Sequence, residues 1–224
     1  MKDIAIFGAG GFGREVANLI RRINVSAEVP VWNFIGFFDD NAELKGTRNE
    51  YGEVLGGMKE LNEYNGKLSI AIGVGSPNAV KAIAGNITNP NVEYPNLLDP
   101  TVQIADENNY ELGKGNVFCS NCIISIAVKV GDFNSFNNNT VLGHDDIVGN
   151  FNCFMPNVNI SGGVKIGDGN FFGVKSTVLQ YLKIGNNTKI GGMTLILRNT
   201  KDGFLYMGVP GKKIDLEKKI ITNK

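Results

Sequence analysis

His144, the only histidine in the chain, is followed directly by two carboxylates, Asp145 and Asp146. An imidazole titrates near neutrality, so a histidine beside an acid can take a proton from a nucleophile while the carboxylate fixes its tautomer. Asp145 is expected to orient the ring, and Asp146 to be a solvated turn acid. A second cluster, Gly8-Ala9-Gly10-Gly11-Phe12-Gly13, has the G-x-G-x-x-G spacing that turns backbone N–H groups and a helix N-terminus toward a phosphate. Cys119-x-x-Cys122 has the spacing of metal ligands, but zinc wants about four, and only Cys153 and His144 remain. Packing is the expected role of these cysteines, and no metal is expected.

The glycine cluster lies between a short apolar strand, Asp3 to Phe7, and a helical stretch from Arg14 to about Ile23, with Val16, Leu19, Ile20 and Ile23 on one face. A second strand, Phe34 to Phe38, ends in Asp39-Asp40, and a third, Leu68 to Ile72, ends in Gly73-Val74-Gly75. Strand, glycine turn and helix in succession predict a small α/β domain with a parallel sheet. A full dinucleotide fold needs two such halves, and this segment has room for one, so a single nucleotide fits better. Tyr94 to Pro100, with two prolines, marks the expected boundary between domains at 1–97 and 98–224.

His144 sits in a repeat. Stepping by six from Leu112 gives Leu112, Phe118, Ile124 and so on to Ile196, fifteen positions that are all apolar. With 42% of residues apolar, chance yields that run roughly two times in a million. Glycine follows the apolar residue in eight of the fifteen hexads, among them Gly113, Gly143 and Gly191. A period of six is neither helix nor ordinary strand. It predicts a β-helix of short strands, with small residues at the corners and Asn and Gly accommodating positive φ.

A small Rossmann-like domain carrying Gly8-Ala9-Gly10-Gly11-Phe12-Gly13-Arg14-Glu15-Val16, followed by such a repeat, resembles the sialic acid O-acetyltransferase family. That family includes N-acetyltransferases of nucleotide-linked amino sugars. The resemblance also rests on Gly36-Phe37-Phe38-Asp39-Asp40, Ala71-Ile72-Gly73-Val74-Gly75, Gly143-His144-Asp145, Ile160-Ser161-Gly162-Gly163 and Gly208-Val209-Pro210-Gly211-Lys212. It implies a left-handed parallel β-helix of about five coils over 112–201, three hexads to a coil, roughly 24 Å tall. It further implies a homotrimer with active sites between subunits.

In the family's terms His144 would be the base and Asp145 its partner. The nucleotide-linked amino sugar would meet Gly8, Gly10, Gly11, Phe12, Asp39, Asp40, Asn41, Gly73, Gly75 and Asn78. Acetyl-CoA would meet Cys153, Gly162, Gly163, Gly173, Gly191, Gly192, Pro210 and Lys212. Gly162 lies 18 residues beyond His144, so an 18-residue coil stacks it directly on the histidine, where its N–H could face an oxyanion. Two positions depart from the family: Cys153 stands where many relatives have a second histidine, and Asp99-Pro100 replaces the usual His-Pro.

Charge and composition agree with a small-molecule enzyme. The chain has 224 residues with 22 basic and 22 acidic, hence no net charge to attract nucleic acid or a membrane surface. There is no signal-like or membrane-spanning run, and three cysteines give no disulfide framework, so a cytoplasmic protein, bacterial by resemblance, is expected. The expected reaction is acetyl transfer from acetyl-CoA to a nucleotide-linked amino-deoxysugar in surface polysaccharide assembly. The rival expectations are O-acetylation of a free sugar such as a sialic acid, and a non-catalytic nucleotide-sugar-binding scaffold.

Overall fold

The computed structural model describes residues 1–214; the last ten residues of the expected 98–224 domain lie outside them. The N-terminal part contains β1 (Lys2–Phe7), α1 (Gly11–Ser26), β2 (Trp32–Phe38), β3 (Val54–Gly56), α2 (Met58–Asn62), β4 (Leu68–Ile72), α3 (Pro77–Asn86) and β5 (Val92–Glu93). The strands form one parallel sheet in the order β3-β2-β1-β4-β5. β1 is central and covered on both faces, which explains why Ile4 to Phe7 reads as an unbroken apolar run, all of it buried. Ile4 and Ile6 pack with Val16, Leu19 and Ile20 of α1; Ala5 and Phe7 pack with Leu61 and Val80 on the opposite face. Helix α1 starts three residues earlier than Arg14, inside the glycine cluster.

From Leu97 onward short strands wind into a triangular prism with three parallel sheets. Residues 18 apart pair from coil to coil: Ser135 with Cys153 and then Phe171, Val141 with Asn159 and then Thr177, Ile147 with Lys165 and then Lys183. Of the fifteen ladder residues all but Leu112 are buried, and Leu112 packs against the same core. Phe118, Phe136, Phe154 and Phe172 stack with ring centroids 4.2, 4.6 and 4.4 Å apart. At one corner Asn116, Asn134, Asn152 and Asn170 form a second, buried ladder, each carbonyl oxygen accepting the backbone N–H of the residue one coil on.

The winding begins before the expected Leu112. Leu97–Leu98 pairs with Val117–Phe118, and Gln103–Ile104 with Ile123–Ile124. Eight residues rather than six separate the ladder positions Ile104 and Leu112, which takes the first coil out of the period. The ladder glycines also serve another purpose than expected. None of the eight has positive φ; the left-handed residues are Asn121, Ala127, Phe133, Asn139, Asp145 and others six apart. A Cβ on Gly131 or Gly149 would instead run into backbone and Asx side chain of the next coil, so these glycines permit close stacking of coils.

The α/β part docks on the sheet that carries Val117, Ser135, Cys153 and Phe171. Leu97, Val117 and Cys119 join the apolar cluster under α1, and Phe133 joins the cluster on the other side of the domain. Arg22 of α1 grips buried Asp99 through Nε at 2.6 Å and Nη2 at 3.0 Å. Thr101 adds its backbone N–H and hydroxyl to the same carboxylate. The prism closes with Leu205–Met207, parallel to Lys189–Ile190 and antiparallel to Lys212–Ile214. No helix of the described residues is long and apolar enough to cross a membrane.

Phe154→Ala removes one of the two inner rings of a fully buried stack and should cost about 3–5 kcal/mol in urea-induced unfolding. Burial would raise the Asp99 pKa, yet Arg22 and Thr101 hold it down at about 2, below its ordinary 3.8. A depressed acid stabilises above the unfolded value, so this contribution is lost as pH falls from about 4 to 2. Unfolding midpoints across that range should drop less steeply in Arg22→Ala.

Candidate active site

The strand Val141–Leu142 runs into the corner Gly143-His144-Asp145-Asp146 before Ile147–Val148. Asp145 takes the left-handed conformation that every corner requires, φ 60°, which an aspartate tolerates better than most residues. Its Oδ2 lies 2.8 Å from His144 Nδ1, with both side chains half-exposed or more. A carboxylate only accepts, so Nδ1 carries the proton and Nε2 presents its lone pair. One coil on lies Gly162, and the imidazole rests against it: a Cβ there would overlap Nε2. The Gly163 N–H donates to the His144 carbonyl at 2.7 Å.

The Gly162 N–H donates no hydrogen bond among the described residues. On another edge of the prism the corresponding amides of Lys114, Asp132, Asn150, Asp168 and Asn186 are each taken by an Asx oxygen one coil on, at 2.7 to 2.9 Å. The corner thus holds an oriented base beside a free backbone donor, a pair suited to deprotonating a nucleophile and stabilising an oxyanion.

Asp146 is not the solvated turn acid expected of it. It is fully buried, accepting the Gly143 N–H at Oδ2 and the Val164 N–H at Oδ1, both at 2.8 Å. Burial pushes its pKa up to about 7, against the pull of those two amides and of His144. The position continues a column of Val128, Val164 and Leu182 that packs the interior.

The predicted nucleotide-binding residues gather at the carboxyl ends of β1, β2 and β4, where open parallel sheets bind ligands. Their glycines divide by environment. Gly8, Gly13 and Gly73 are buried against one another, and a Cβ on Gly13 would overlap the Gly8 carbonyl oxygen. Gly10, Gly11 and Gly75 face open space. Asp39 is already engaged: Oδ2 accepts the Ala9 N–H at 2.8 Å and Oδ1 the Asn41 N–H at 2.9 Å. Asp40 Oδ1 accepts the Met58 N–H at 2.8 Å. Phe12 is half-buried, while Asn41 and Asn78 are exposed.

The residues expected to hold acetyl-CoA are spread over the prism. Gly162 and Gly163 share the His144 edge. Gly173, Gly191 and Gly192 lie on the next edge, across the sheet of Asn159–Ile160, Thr177–Val178 and Leu195–Ile196. Exposed Pro210 and Lys212 belong to the closing hairpin, whose Gly211 N–H donates to Leu195. Cys153 is buried on the third sheet, half a coil from His144, with its thiol pKa raised by burial. Cys119 and Cys122 are buried as well, and no three metal-ligating side chains converge among the described residues.

The structure adds residues that sequence reasoning missed. A cavity of about 360 Å³ lies where the Gly75–Asn78 loop meets Gly169, Phe171, Asn187 and Lys189 of the prism. Phe171, an aromatic at an outward position of its strand, was the available signal, but the period does not say which sheet the α/β part covers.

Residues 3–87 match the family model of the PglD N-terminal domain. By sequence the chain has no significant match among curated proteins. Solved structures match along nearly its whole length. The acetyltransferase domain of PglB from Neisseria gonorrhoeae is 22% identical with a TM-score of 0.84, over 96% of this chain and 100% of that one. WeeI from Acinetobacter baumannii is 21% identical with a TM-score of 0.83, over 96% and 100%. PerB from Caulobacter crescentus, solved with CoA and GDP-perosamine, is 21% identical with a TM-score of 0.81, over 96% and 98%. The fold is therefore a Rossmann-like domain followed by a left-handed parallel β-helix.

Gly162→Ala should displace the imidazole. With one histidine in the chain, ¹⁵N-histidine labelling reports this as a change in a single set of ring signals, with the rest of the spectrum retained.

Proposed function

We propose that the chain is an acetyl-CoA-dependent N-acetyltransferase acting on the free amine of a nucleotide-linked amino-deoxysugar, in bacterial surface polysaccharide or glycan assembly. The observation that carries this is the His144 ring, oriented by Asp145 and resting on Gly162, whose N–H has no acceptor among the described residues. His144 Nε2 takes a proton from the amine as its nitrogen bonds to the thioester carbon. The Gly162 N–H receives the developing oxyanion, and such a donor contributes about 2.7–4 kcal/mol elsewhere. Collapse breaks the C–S bond, and the histidine returns its proton to the departing CoA thiolate. No acyl-enzyme is needed.

Gly10, Gly11, Asp39, Asp40 and the Gly73–Asn78 loop would hold the nucleotide, and the open space at Gly10, Gly11 and Gly75 supports that role. PerB, solved with CoA and GDP-perosamine, supports the choice of a nucleotide-linked amino sugar over a free sugar. The α/β part covers one sheet of the prism, and His144 lies on the edge opposite that sheet. A nucleotide-sugar bound in one copy would therefore react at the His144 of another, which favours the homotrimer. Acetyl-CoA would lie between the Gly162 edge of one copy and the edge carrying Gly173, Gly191 and Gly192 of its neighbour. A buried thiol in place of the second histidine is a weaker donor, so the Gly162 amide would hold the acetyl oxygen largely alone.

Free thiol release from acetyl-CoA with UDP-, dTDP- and GDP-linked amino sugars tests the reading. Turnover on at least one, falling about 10²–10⁴-fold in His144→Ala, is the expected result. Activity confined to free sialic acid would establish O-transfer instead, and binding of nucleotide-sugar without turnover would establish a scaffold. Light scattering should give three times the 24.2 kDa chain mass.

A further inference from the structure

The column to which Asp146 belongs is otherwise apolar, with Val128 one coil before it and Val164 and Leu182 after it. A buried carboxylate carries a desolvation cost that an aliphatic side chain avoids. Packing alone would favour valine here.

What the carboxylate does instead is redirect the backbone. At the equivalent corners before and after it, the Ser125 N–H donates to the Leu142 carbonyl and the Ser161 N–H to that of Val178. The corresponding partner of Gly143 would be Ile160, its neighbour's pair in the ladder. The Gly143 amide turns to Asp146 Oδ2 instead, while Oδ1 reaches into the next coil for the Val164 amide. One held amide belongs to the residue before His144; the other follows Gly162-Gly163. Between them the Gly143 Cα is pressed on the Ser161–Gly162 peptide, so closely that a Cβ would overlap the Gly162 nitrogen.

We infer that Asp146 is a positioning residue whose carboxylate clamps the His144 corner to the Gly162 corner, fixing the imidazole against Gly162 and the direction of the Ser161–Gly162 peptide. It touches no substrate. Its effect on turnover rests on the acetyl-transfer reading; its effect on the ring rests on the geometry alone.

Asp146→Val supplies the column's usual residue and lets Gly143 rejoin the ladder, so it should fold at least as stably as the native chain. Asp146→Asn keeps the shape but sets an NH₂ group against one of the two amides. In full-length protein labelled with ¹⁵N-histidine, both variants are expected to shift and broaden the single set of imidazole signals. With acetyl-CoA and the best amino-sugar acceptor, kcat should fall at least about tenfold with both KM values nearly unchanged, because small misplacements of reacting groups cost that much or more. The thermal midpoint of Asp146→Val should be retained or raised.

Unchanged ring signals in Asp146→Val would overturn the clamp, as would altered ring signals with full kcat. Loss of kcat in step with the thermal midpoint in both variants would also overturn it, by marking a purely structural role. If the native enzyme turns over no amino sugar, the acetyl-transfer reading fails, and the ring signals still decide the clamp.

Discussion

Closure of the chain on itself every 18 residues is the constraint on which the C-terminal part depends. Once strand Ser135–Phe136 lies against Cys153–Phe154, every side chain meets its counterpart one coil away, and each position becomes a column with a single environment. The columns then sort by chemistry. One is a stack of phenylalanines, one a chain of buried asparagines that pass backbone amides along, and one a run of glycines where coils touch. None of these contacts is long-range in an arbitrary sense; each repeats the same short separation, which makes the prism a nearly one-dimensional object.

The same regularity decides how much of the molecule was legible in the sequence. Leu112 to Ile196 could be placed inward from the period alone, and the stacking of Gly162 on His144 followed once three hexads made a coil. The first coil escaped because two extra residues between Ile104 and Leu112 move it out of step. The role of the ladder glycines was misjudged for a related reason: both the turning of a corner and the stacking of coils call for small residues, and only φ values separate them. Asp146 was misplaced because an acid after a histidine at a corner reads as polar and exposed, whereas its column is an interior one. The α/β part was legible in its three main strands and α1. Its seat on the Val117–Phe171 sheet was not, since that depends on Leu97, Val117, Cys119 and Phe133, whose pattern alone does not distinguish them from other outward residues.

Specific chemistry enters where the columns are interrupted. The His144 corner differs from its neighbours by an imidazole packed against a glycine, an acid buried where valine belongs, and a Gly143 amide turned to that acid instead of the next coil. The Arg22–Asp99 contact is a comparable exception at the join of the two parts, a buried carboxylate satisfied from α1 and from Thr101. Each exception spends packing regularity on orientation. That distribution is consistent with a scaffold whose period supplies stiffness while a few positions supply function.

A parallel β-helix has no intrinsic end: its last coil presents the same row of amides and carbonyls that the coil above used to pair. The closing hairpin answers that. Lys212–Ile214 runs against the direction of every other prism strand, the Leu195 N–H donates to the Gly208 carbonyl, and the Gly211 N–H donates to the Leu195 carbonyl. A neighbouring molecule that tried to continue the winding would meet a reversed strand edged with Lys212 and Lys213 rather than a template. Among the described residues the hairpin thus ends that sheet on a reversed strand, while two of the three prism faces stay uncovered by the α/β part.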